Sequence, residues 1–175
     1  MFGGGVIYHD VGERFNSPTK NLYFTIPDFL AFAENLVFCL GQTVSPLETE
    51  NNYPVGYLLL PDHKTIQIHF VHYSSFSEAF EKWEIRKIRI NPNNLFILLE
   101  MGLSTTEEYV KRFLNLPFEN KMAFVNSNTA EKELFDLGIY DSNYHYGKAI
   151  EFDPKSLHMR RYLDRFDYIK WINRE

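Results

Sequence analysis

The sequence predicts a single α/β domain over residues 1–175, with a mainly parallel, Rossmann-like sheet covered by helices on both faces in three layers. Three apolar runs, at 66–70, 95–99 and 122–126, alternate with two helical patterns along the chain. The order strand, helix, strand, helix, strand implies right-handed crossovers between parallel strands. These runs are nearly continuous, which is typical of strands that are buried on both faces. We therefore expect the three strands to share one sheet.

The composition supports a folded, enzyme-sized domain. The chain has 175 residues, is 45% hydrophobic and contains 16 Phe and 11 Tyr, which is enough to bury a core. Its net charge of -5 gives no overall basic field for nucleic acid. The sequence shows no signal peptide and no membrane-spanning run, so we expect a cytoplasmic protein. The single cysteine, Cys39, is expected on the buried face of a helix.

The N-terminal elements follow from short local signals. A glycine triplet at 3–5 precedes an apolar stretch, and 22–24 has the composition of a short strand. Thr25 is a typical helix cap, with Pro27 in the first turn. This helix is expected to continue to Gly41, because glycine commonly ends helices.

The middle of the chain is more regular. Residues 55–60 and 66–70 suggest two strands separated by a turn, and a helix is expected from 77 to 89. Thr105 and Glu108 have the spacing of a capping box for the next helix.

The C-terminal part is expected to be helical. A short helix is predicted from Asn128 to Gly138, and a final helix from Asp153. Trp171, near the end of that helix, is expected to anchor it to the rest of the domain.

Polar residues follow the three expected parallel strands. His72 and Tyr73 follow the first, Glu100 the second and Asn126 the third. Because ligands bind beyond the carboxyl ends of parallel strands, these side chains would form one rim suited to acid–base chemistry. The alternative is that strand ends are polar simply because the chain leaves the core there.

Two histidines invite a metal interpretation, which geometry disfavours. His69 and His72 are three residues apart, and side chains at that spacing on a strand point to opposite faces. No third ligand with recognisable spacing is near, so we predict no metal site.

A basic stripe follows the first of these strands. Lys82, Arg86 and Arg89 fall on one face of the expected helix, and guanidinium groups suit phosphate oxygens. The alternative is an ordinary solvated face, with Glu78 paired to Lys82. Gly4 and Gly5 could also present backbone N–H groups to an anion, although a glycine triplet alone is a weak signal.

Several segments carry a family resemblance. They are 4–10, 15–19, 53–56, 68–73 with Trp83, Arg86, Arg89, Ile90 and Asn91, 118–124, and 171–173. In this order they resemble a bacterial family of unknown function, domain of unknown function 1919, which is linked to exopolysaccharide biosynthesis. The resemblance implies a setting in surface-polysaccharide synthesis, without a reaction or a cofactor. It raises the weight of His69, His72, Arg86 and Arg89 as functional residues.

Three classes of function remain open. The first is a transferase for a sugar or nucleotide-sugar, with His72 or Glu100 as base and Arg86 and Arg89 on phosphate. The second is a saccharide hydrolase using His69 and His72 with a carboxylate. The third is a non-catalytic binding or assembly factor of a polysaccharide-synthesis complex. Of these we favour the transferase, with Tyr73, Gly4, Gly5 and Asp10 as further substrate-binding residues.

Overall fold

The computed structural model describes residues 3–12, 17–126, 131–138, 149–153 and 155–174, with backbone alone for 3–5. The chain divides into two compact units. The first unit comprises residues 14–93 together with Met1, and the second comprises residues 2–13 and 94–175.

The first unit contains a three-stranded antiparallel sheet. Its strands are β1 (Ser45–Leu47), β2 (Val55–Leu59) and β3 (Thr65–His69), in the order β1-β2-β3. A tight turn joins β2 to β3, closed by a hydrogen bond from Leu60 N to Lys64 O of 2.8 Å. Residues along β3 alternate between exposed and buried, so one face of this sheet covers the core and the other faces solvent.

The predicted three-layer, mainly parallel Rossmann-like sheet is therefore wrong. The run at 66–70 belongs to the antiparallel sheet of the first unit, whereas the runs at 95–99 and 122–126 form strands of a separate sheet in the second unit. The physical reason lies in the connection before β3. A tight turn reverses the chain, so β2 and β3 pair as an antiparallel hairpin and leave no crossover helix between them.

Two helices follow the predicted cap at Thr25. Helix α2 (Ile26–Glu34) begins where expected, and Thr25 Oγ1 accepts a hydrogen bond from Asp28 N at 3.2 Å. The helix predicted to run to Gly41 is interrupted at Asn35, which leaves the helical region, and α3 (Leu36–Gly41) follows. Asn35 Nδ2 donates to Ala31 O at 2.9 Å and satisfies a carbonyl near the end of α2.

Helix α4 (Phe76–Lys87) carries the principal aromatic contact of the first unit. Ser75 caps it by accepting a hydrogen bond from Glu78 N. Trp83 is 1% exposed, and its ring lies 6.0 Å from that of Phe32 in an edge-on arrangement. Phe32 in turn stacks on Phe24 at 5.3 Å. These contacts hold α4 against α2.

The second unit contains a parallel sheet. Its strands are β4 (Phe96–Gly102), β5 (Asn120–Val125) and β6 (Leu134–Asp136), in the order β4-β5-β6, and both strand pairs are parallel. Helix α5 (Glu107–Leu114) lies in the crossover from β4 to β5. Residues 122–125 are all buried, as expected for a parallel strand that is covered on both faces.

Helices at the two ends of the sequence complete the second unit. They are α1 (Gly3–Asp10) and α6 (Tyr168–Asn173), with a short 3-10 helix at Tyr162–Arg165. One cluster of its core comprises Ile7, Leu98, Phe124, Leu137, Ala149, Tyr162 and Leu163. Trp171 packs against this core, with its ring 5.1 Å from that of Phe96. The predicted anchoring role of Trp171 is confirmed.

Three local predictions for the second unit are wrong. Thr106, not Thr105, caps α5, because Thr106 Oγ1 accepts the hydrogen bond from Tyr109 N. Residues 134–136, assigned to a short helix, form β6, while 128–130 lie outside the described residues. The helix predicted from Asp153 is absent over 155–161, where the backbone forms turns, and only the 3-10 helix and α6 follow, separated by the extended backbone of Phe166.

No helix in the described parts of the chain is long and apolar enough to cross a membrane.

The fold predicts a strong effect of a methyl group at Gly56 on β2. A Cβ atom there would lie 2.5 Å from Cγ1 of Val44 and 3.1 Å from the rings of Phe70 and Phe76. Because Val44 is buried and branched, it has little room to move. We expect Gly56→Ala to lower the free energy of unfolding by about 1–3 kcal/mol in urea titrations. Gly41→Ala is the matched control, since a Cβ there meets nothing within 4 Å.

Candidate functional site

The predicted site residues fall into both units. His69, His72, Tyr73, Arg86 and Arg89 belong to the first unit, and Gly4, Gly5, Asp10 and Glu100 belong to the second. The rim that was expected to unite them stays a prediction.

His69 is held between two tyrosine rings in the first unit. Its backbone pairs with Tyr23 through two hydrogen bonds, of 2.7 and 2.9 Å. Its imidazole lies 5.4 Å from the ring of Tyr23 and 5.9 Å from that of Tyr53. Its Nδ1 atom is buried and has no hydrogen-bond partner. Burial lowers the pKa of His69, an effect that the charge of Asp28 partly opposes. Burial thus favours a neutral imidazole.

Arg86 is the centre of a cationic cluster. Its Nη1 atom donates to the hydroxyl of Tyr73 and to the carbonyl of Lys20, both at 2.9 Å. Both acceptors are neutral, so they orient the guanidinium without cancelling its charge. Burial lowers the pKa of the Lys20 ammonium, and the positive charge of Arg86 lowers it further. We call Lys20, Tyr73 and Arg86 the Arg86 cluster. An anion bound here would relieve the repulsion between its two cations.

The remaining candidates of the first unit lie on either side of α4. His72 is exposed in the turn between β3 and α4, and Arg89 is half-buried just beyond the end of the helix. The predicted helix to 89 thus ends two residues early, at Lys87. Glu78 accepts a hydrogen bond from Ser74 at 3.2 Å, and its pairing with Lys82, part of the alternative interpretation of the stripe, is not among the ion pairs of the described residues.

Sequence reasoning missed three residues of this region. Lys20 is 66 positions from Arg86 in the sequence, so no local pattern relates the two. Tyr23 was assigned only to a short strand, and Tyr53 appeared only within a family-like segment. Tyr23 meets His69 through a backbone bridge and Tyr53 meets it through ring contact. Contacts of this kind depend on the tertiary fold.

Glu100 and Asp10 are bound to other groups of the second unit. Glu100 Oε1 accepts a hydrogen bond from the backbone N–H of Ala149 at 2.6 Å. Asp10 Oδ2 accepts from Arg161 Nη2 at 2.6 Å and from the hydroxyl of Tyr168 at 3.0 Å. The hydrogen bond from Arg161 lowers the pKa of Asp10. Gly4 and Gly5 lie in the first turn of α1.

An open depression of about 300 Å³ lies beside this ion pair, lined by Asp164, Arg165, Phe166, Asp167, Tyr168 and Ile169. Its polar groups are engaged within the protein. Asp164 binds Arg161, Arg165 forms an ion pair with Asp153 at 2.7 Å, and Tyr168 donates to Asp10. Asp167 accepts from Lys170 N at 3.1 Å and caps α6. Because these polar groups already have partners within the protein, we interpret the depression as a result of local packing and not as a binding site.

Cys39 does not supply a nucleophile. Its side chain is fully buried, and burial raises its pKa to about 11. The thiol is therefore protonated at neutral pH and serves as a small apolar core group. Within the described ranges, no cluster of three or more His, Cys, Asp or Glu side chains could hold a metal ion.

Comparison with known proteins places the chain in a family. The model of the family described as "Domain of unknown function (DUF1919)" matches residues 2–173. The chain belongs to this family. A relative from Haemophilus influenzae (strain ATCC 51907 / DSM 11121 / KW20 / Rd), described as "Uncharacterized protein", is 37% identical over 171 residues. The match covers 97% of this chain and 80% of that protein.

The state of His69 predicts how the stability of this DUF1919 protein depends on pH. Its pKa is lower in the folded protein than in the unfolded chain, so the unfolded chain takes up the proton first as pH falls. The stability linked to a neutral His69 is present above the ordinary histidine pKa of about 6.5 and is lost as pH falls below it. Urea titrations at about pH 7.5 and 5.5 should show lower stability at the acidic pH.

Two variants test the assignment to His69. His69→Phe keeps an aromatic ring and removes the titrating group, so its loss of stability between the two pH values should be smaller. His63→Asn removes an exposed histidine whose backbone φ of 64° asparagine tolerates. Equal pH dependence of His69→Phe and the unmodified protein would contradict the assignment.

Proposed function

We propose that this DUF1919 protein is a cytoplasmic, transferase-like enzyme of exopolysaccharide biosynthesis that binds a nucleotide-sugar or sugar phosphate in its first unit. The observation that carries the proposal is the Arg86 cluster, in which Arg86 and Lys20 are held close together. An anion bound near two positive charges in a partly desolvated position is stabilised by both of them. Phosphate is the anion proposed, because a guanidinium binds it with two parallel hydrogen bonds.

The orientation of Arg86 supports this proposal. Among the described hydrogen bonds, Arg86 uses only Nη1, toward Tyr73 and Lys20. The same guanidinium carries further donors on Nη2 and Nε. Since its neighbours fix the plane of the group, a ligand would not have to order a mobile side chain. Tyr73 lies in the turn that also contains His72. The residue that orients Arg86 and a candidate base are therefore adjacent in the sequence.

The rings around His69 supply the sugar-facing surface in this proposal. Tyr23 is 43% exposed, and both its ring and that of Tyr53 contact the imidazole of His69. Aromatic side chains offer an apolar face and a polar hydroxyl, the combination found in sites for small polar ligands. Tyr23 follows Lys20 by three residues. The aromatic surface and the carbonyl that contacts Arg86 therefore belong to the same segment of the chain.

A transfer reaction in this setting would use a histidine as the base and the two cations, Arg86 and Lys20, to hold the phosphate. The acceptor hydroxyl would attack the anomeric carbon of the donor sugar, and the bond from that carbon to the phosphate oxygen would break. His72 or His69 would take the hydroxyl proton, in its neutral form. Arg86 and Lys20 would stabilise the charge on the departing phosphate.

One observation favours a second candidate, a non-catalytic assembly factor. Phe152, Leu157 and Met159 are 59%, 92% and 69% exposed within a short stretch of the second unit. Exposed apolar side chains are a feature that protein interfaces share. An assembly factor would bind a partner through this stretch and would need no phosphate.

The phosphate proposal is tested by thermal shift with UDP-glucose, glucose 1-phosphate, inorganic pyrophosphate and glucose. A ligand at ten times its Kd stabilises by about 1.4 kcal/mol, which raises the melting midpoint of a chain of this size by roughly 3–6 °C. We expect UDP-glucose or glucose 1-phosphate to give such a rise and glucose to give none. In Arg86→Gln the rise should disappear.

Lys64→Gln is the matched control, because it removes one positive charge from the same unit at a side chain that is 79% exposed. It should keep the response to ligand. A rise with pyrophosphate equal to that with UDP-glucose would limit the site to phosphate and contradict sugar recognition. No response from any phosphorylated ligand at millimolar concentration would reject the proposal in favour of the assembly factor.

A further inference from the structure

The second unit presents a short loop with exposed side chains on a hydrogen-bonded backbone. A hydrogen bond of 2.8 Å from Asp153 N to Arg160 O closes the loop at its base. Nearer its end, Met159 N donates to Ser156 O at 3.2 Å. We call residues 155–160 the tip loop. These bonds set the course of its backbone, so the loop presents its side chains in a defined arrangement.

Two apolar side chains of the tip loop lie in solvent. Leu157 is 92% exposed and Met159 is 69% exposed, and Phe152, which precedes the loop, is 59% exposed. A single exposed apolar residue is ordinary in a folded protein. Here, however, Leu157 and Met159 are two positions apart, so their Cα atoms are separated by about 7 Å at most. The core of the unit gains little from either side chain.

The backbone at Met159 shows that this arrangement is strained. Its φ is 51°, in the left-handed region that residues other than glycine seldom adopt. Asparagine or glycine would take this conformation at a lower cost. The position thus combines an unfavourable backbone with an exposed apolar side chain. Strained residues of this kind cluster where a chain binds a ligand or a partner.

The charges of the tip loop indicate what it would bind. Lys155 and Arg160 are exposed, and residues 154–160 contain no Asp or Glu. The ion pairs of the described residues include neither the Lys155 ammonium nor the Arg160 guanidinium. The whole chain, by contrast, has a net charge of -5. An acidic protein therefore places two cations beside two exposed apolar side chains.

The acidic groups at the base of the loop leave these cations in effect. Asp153 forms an ion pair with Arg165 at 2.7 Å, and Asp164 forms one with Arg161 at 2.6 Å. Glu151 is half-buried and lies two residues before the bond that closes the loop. The outer end of the loop is therefore positively charged, and a partner with a negative surface is complementary to it.

We propose that the tip loop docks on the surface of a membrane that contains anionic phospholipids. Leu157 and Met159 enter the headgroup region, and Lys155 and Arg160 contact the lipid phosphates. Apolar side chains accompanied by cations are typical of segments that lie in this interface. A second copy docking loop to loop would bring the cations of both copies together, which is unfavourable.

This contact is weak and reversible, because two apolar side chains and two cations are fewer than stable anchoring needs. It assigns a lipid surface, and not a protein partner, to the exposed apolar stretch of the second unit. It involves no reaction and does not depend on the Arg86 cluster. The proposed phosphate site can therefore fail while membrane docking holds.

The test is co-sedimentation of the full chain with phosphatidylcholine vesicles that contain about 30% phosphatidylglycerol. We expect binding at low ionic strength that falls as salt screens the cations. The double variant Leu157→Ser/Met159→Asn should lower the partition coefficient by ~10-fold or more. Lys155→Gln/Arg160→Gln should also lower it, by about 5-fold for each cation removed. Vesicles of phosphatidylcholine alone should bind far less protein.

The control for the apolar variant is Val37→Ser/Ile88→Ser, which removes two apolar side chains that are 79% and 81% exposed in the first unit. It should bind the anionic vesicles as the unmodified protein does. Thermal melting without lipid tests for a structural role. Leu157→Ser/Met159→Asn should melt no lower than the unmodified protein, because asparagine relieves the φ of Met159 and Leu157 is exposed.

Five results would overturn the proposal. They are no binding to the anionic vesicles, equal binding to phosphatidylcholine alone, undiminished binding of Leu157→Ser/Met159→Asn, and a lower melting midpoint of that variant. The fifth is a dimer in light scattering that the same variant abolishes, which would assign the loop to a second copy. Arg86→Gln should keep vesicle binding. Loss of binding in Arg86→Gln would place the lipid phosphate at the Arg86 cluster and contradict docking by the tip loop.

Discussion

Two backbone hydrogen bonds between Tyr23 and His69 organise the candidate site of the first unit. They attach the segment before α2 to the free side of β3, whose other side already pairs with β2. This attachment places the Tyr23 ring against the imidazole and brings the carbonyl of Lys20 to Arg86. Without it, the segment would have no register against the sheet, and Lys20 would have no fixed position near α4. In the proposed function, phosphate recognition thus depends on a strand contact of one residue.

Elements with strong local signals were predictable, and their assembly was not. Thr25 begins a helix because its hydroxyl caps the backbone of Asp28, which is a short-range interaction. The nearly continuous apolar runs at 95–99 and 122–126 lie in strands that do pair in parallel, as burial on both faces indicates. The run at 65–69 differs from these two runs in its sequence pattern. Its polar Thr65 and Gln67 alternate with buried isoleucines, a pattern of antiparallel sheets with one solvated face.

The candidate site shows the same division between local and long-range information. Tyr73 and Arg86 are 13 residues apart, on a turn and the helix that follows it, so a motif in the sequence could relate them. The role of Lys20 depends on the pairing of Tyr23 with β3, which no spacing predicts. Glu100 shows this division as well. Its position after an apolar run suggested a base, whereas the structure adds a hydrogen bond from the backbone of Ala149, which the sequence could not indicate.

The buried polar atoms without hydrogen-bond partners, which among the described residues are His69 Nδ1, Trp83 Nε1 and Asn126 Oδ1, belong to side chains that gain different amounts of free energy from burial. Leaving a buried polar group unpaired costs about 1–3 kcal/mol. Trp83 offsets this cost, because burying an aromatic ring of about 200 Å² gains roughly 5 kcal/mol at 25 cal/mol/Å². The His69 ring likewise gains contacts with two tyrosines. Asn126 has only a short polar side chain, so burial returns little, and an alanine there would fold without the penalty.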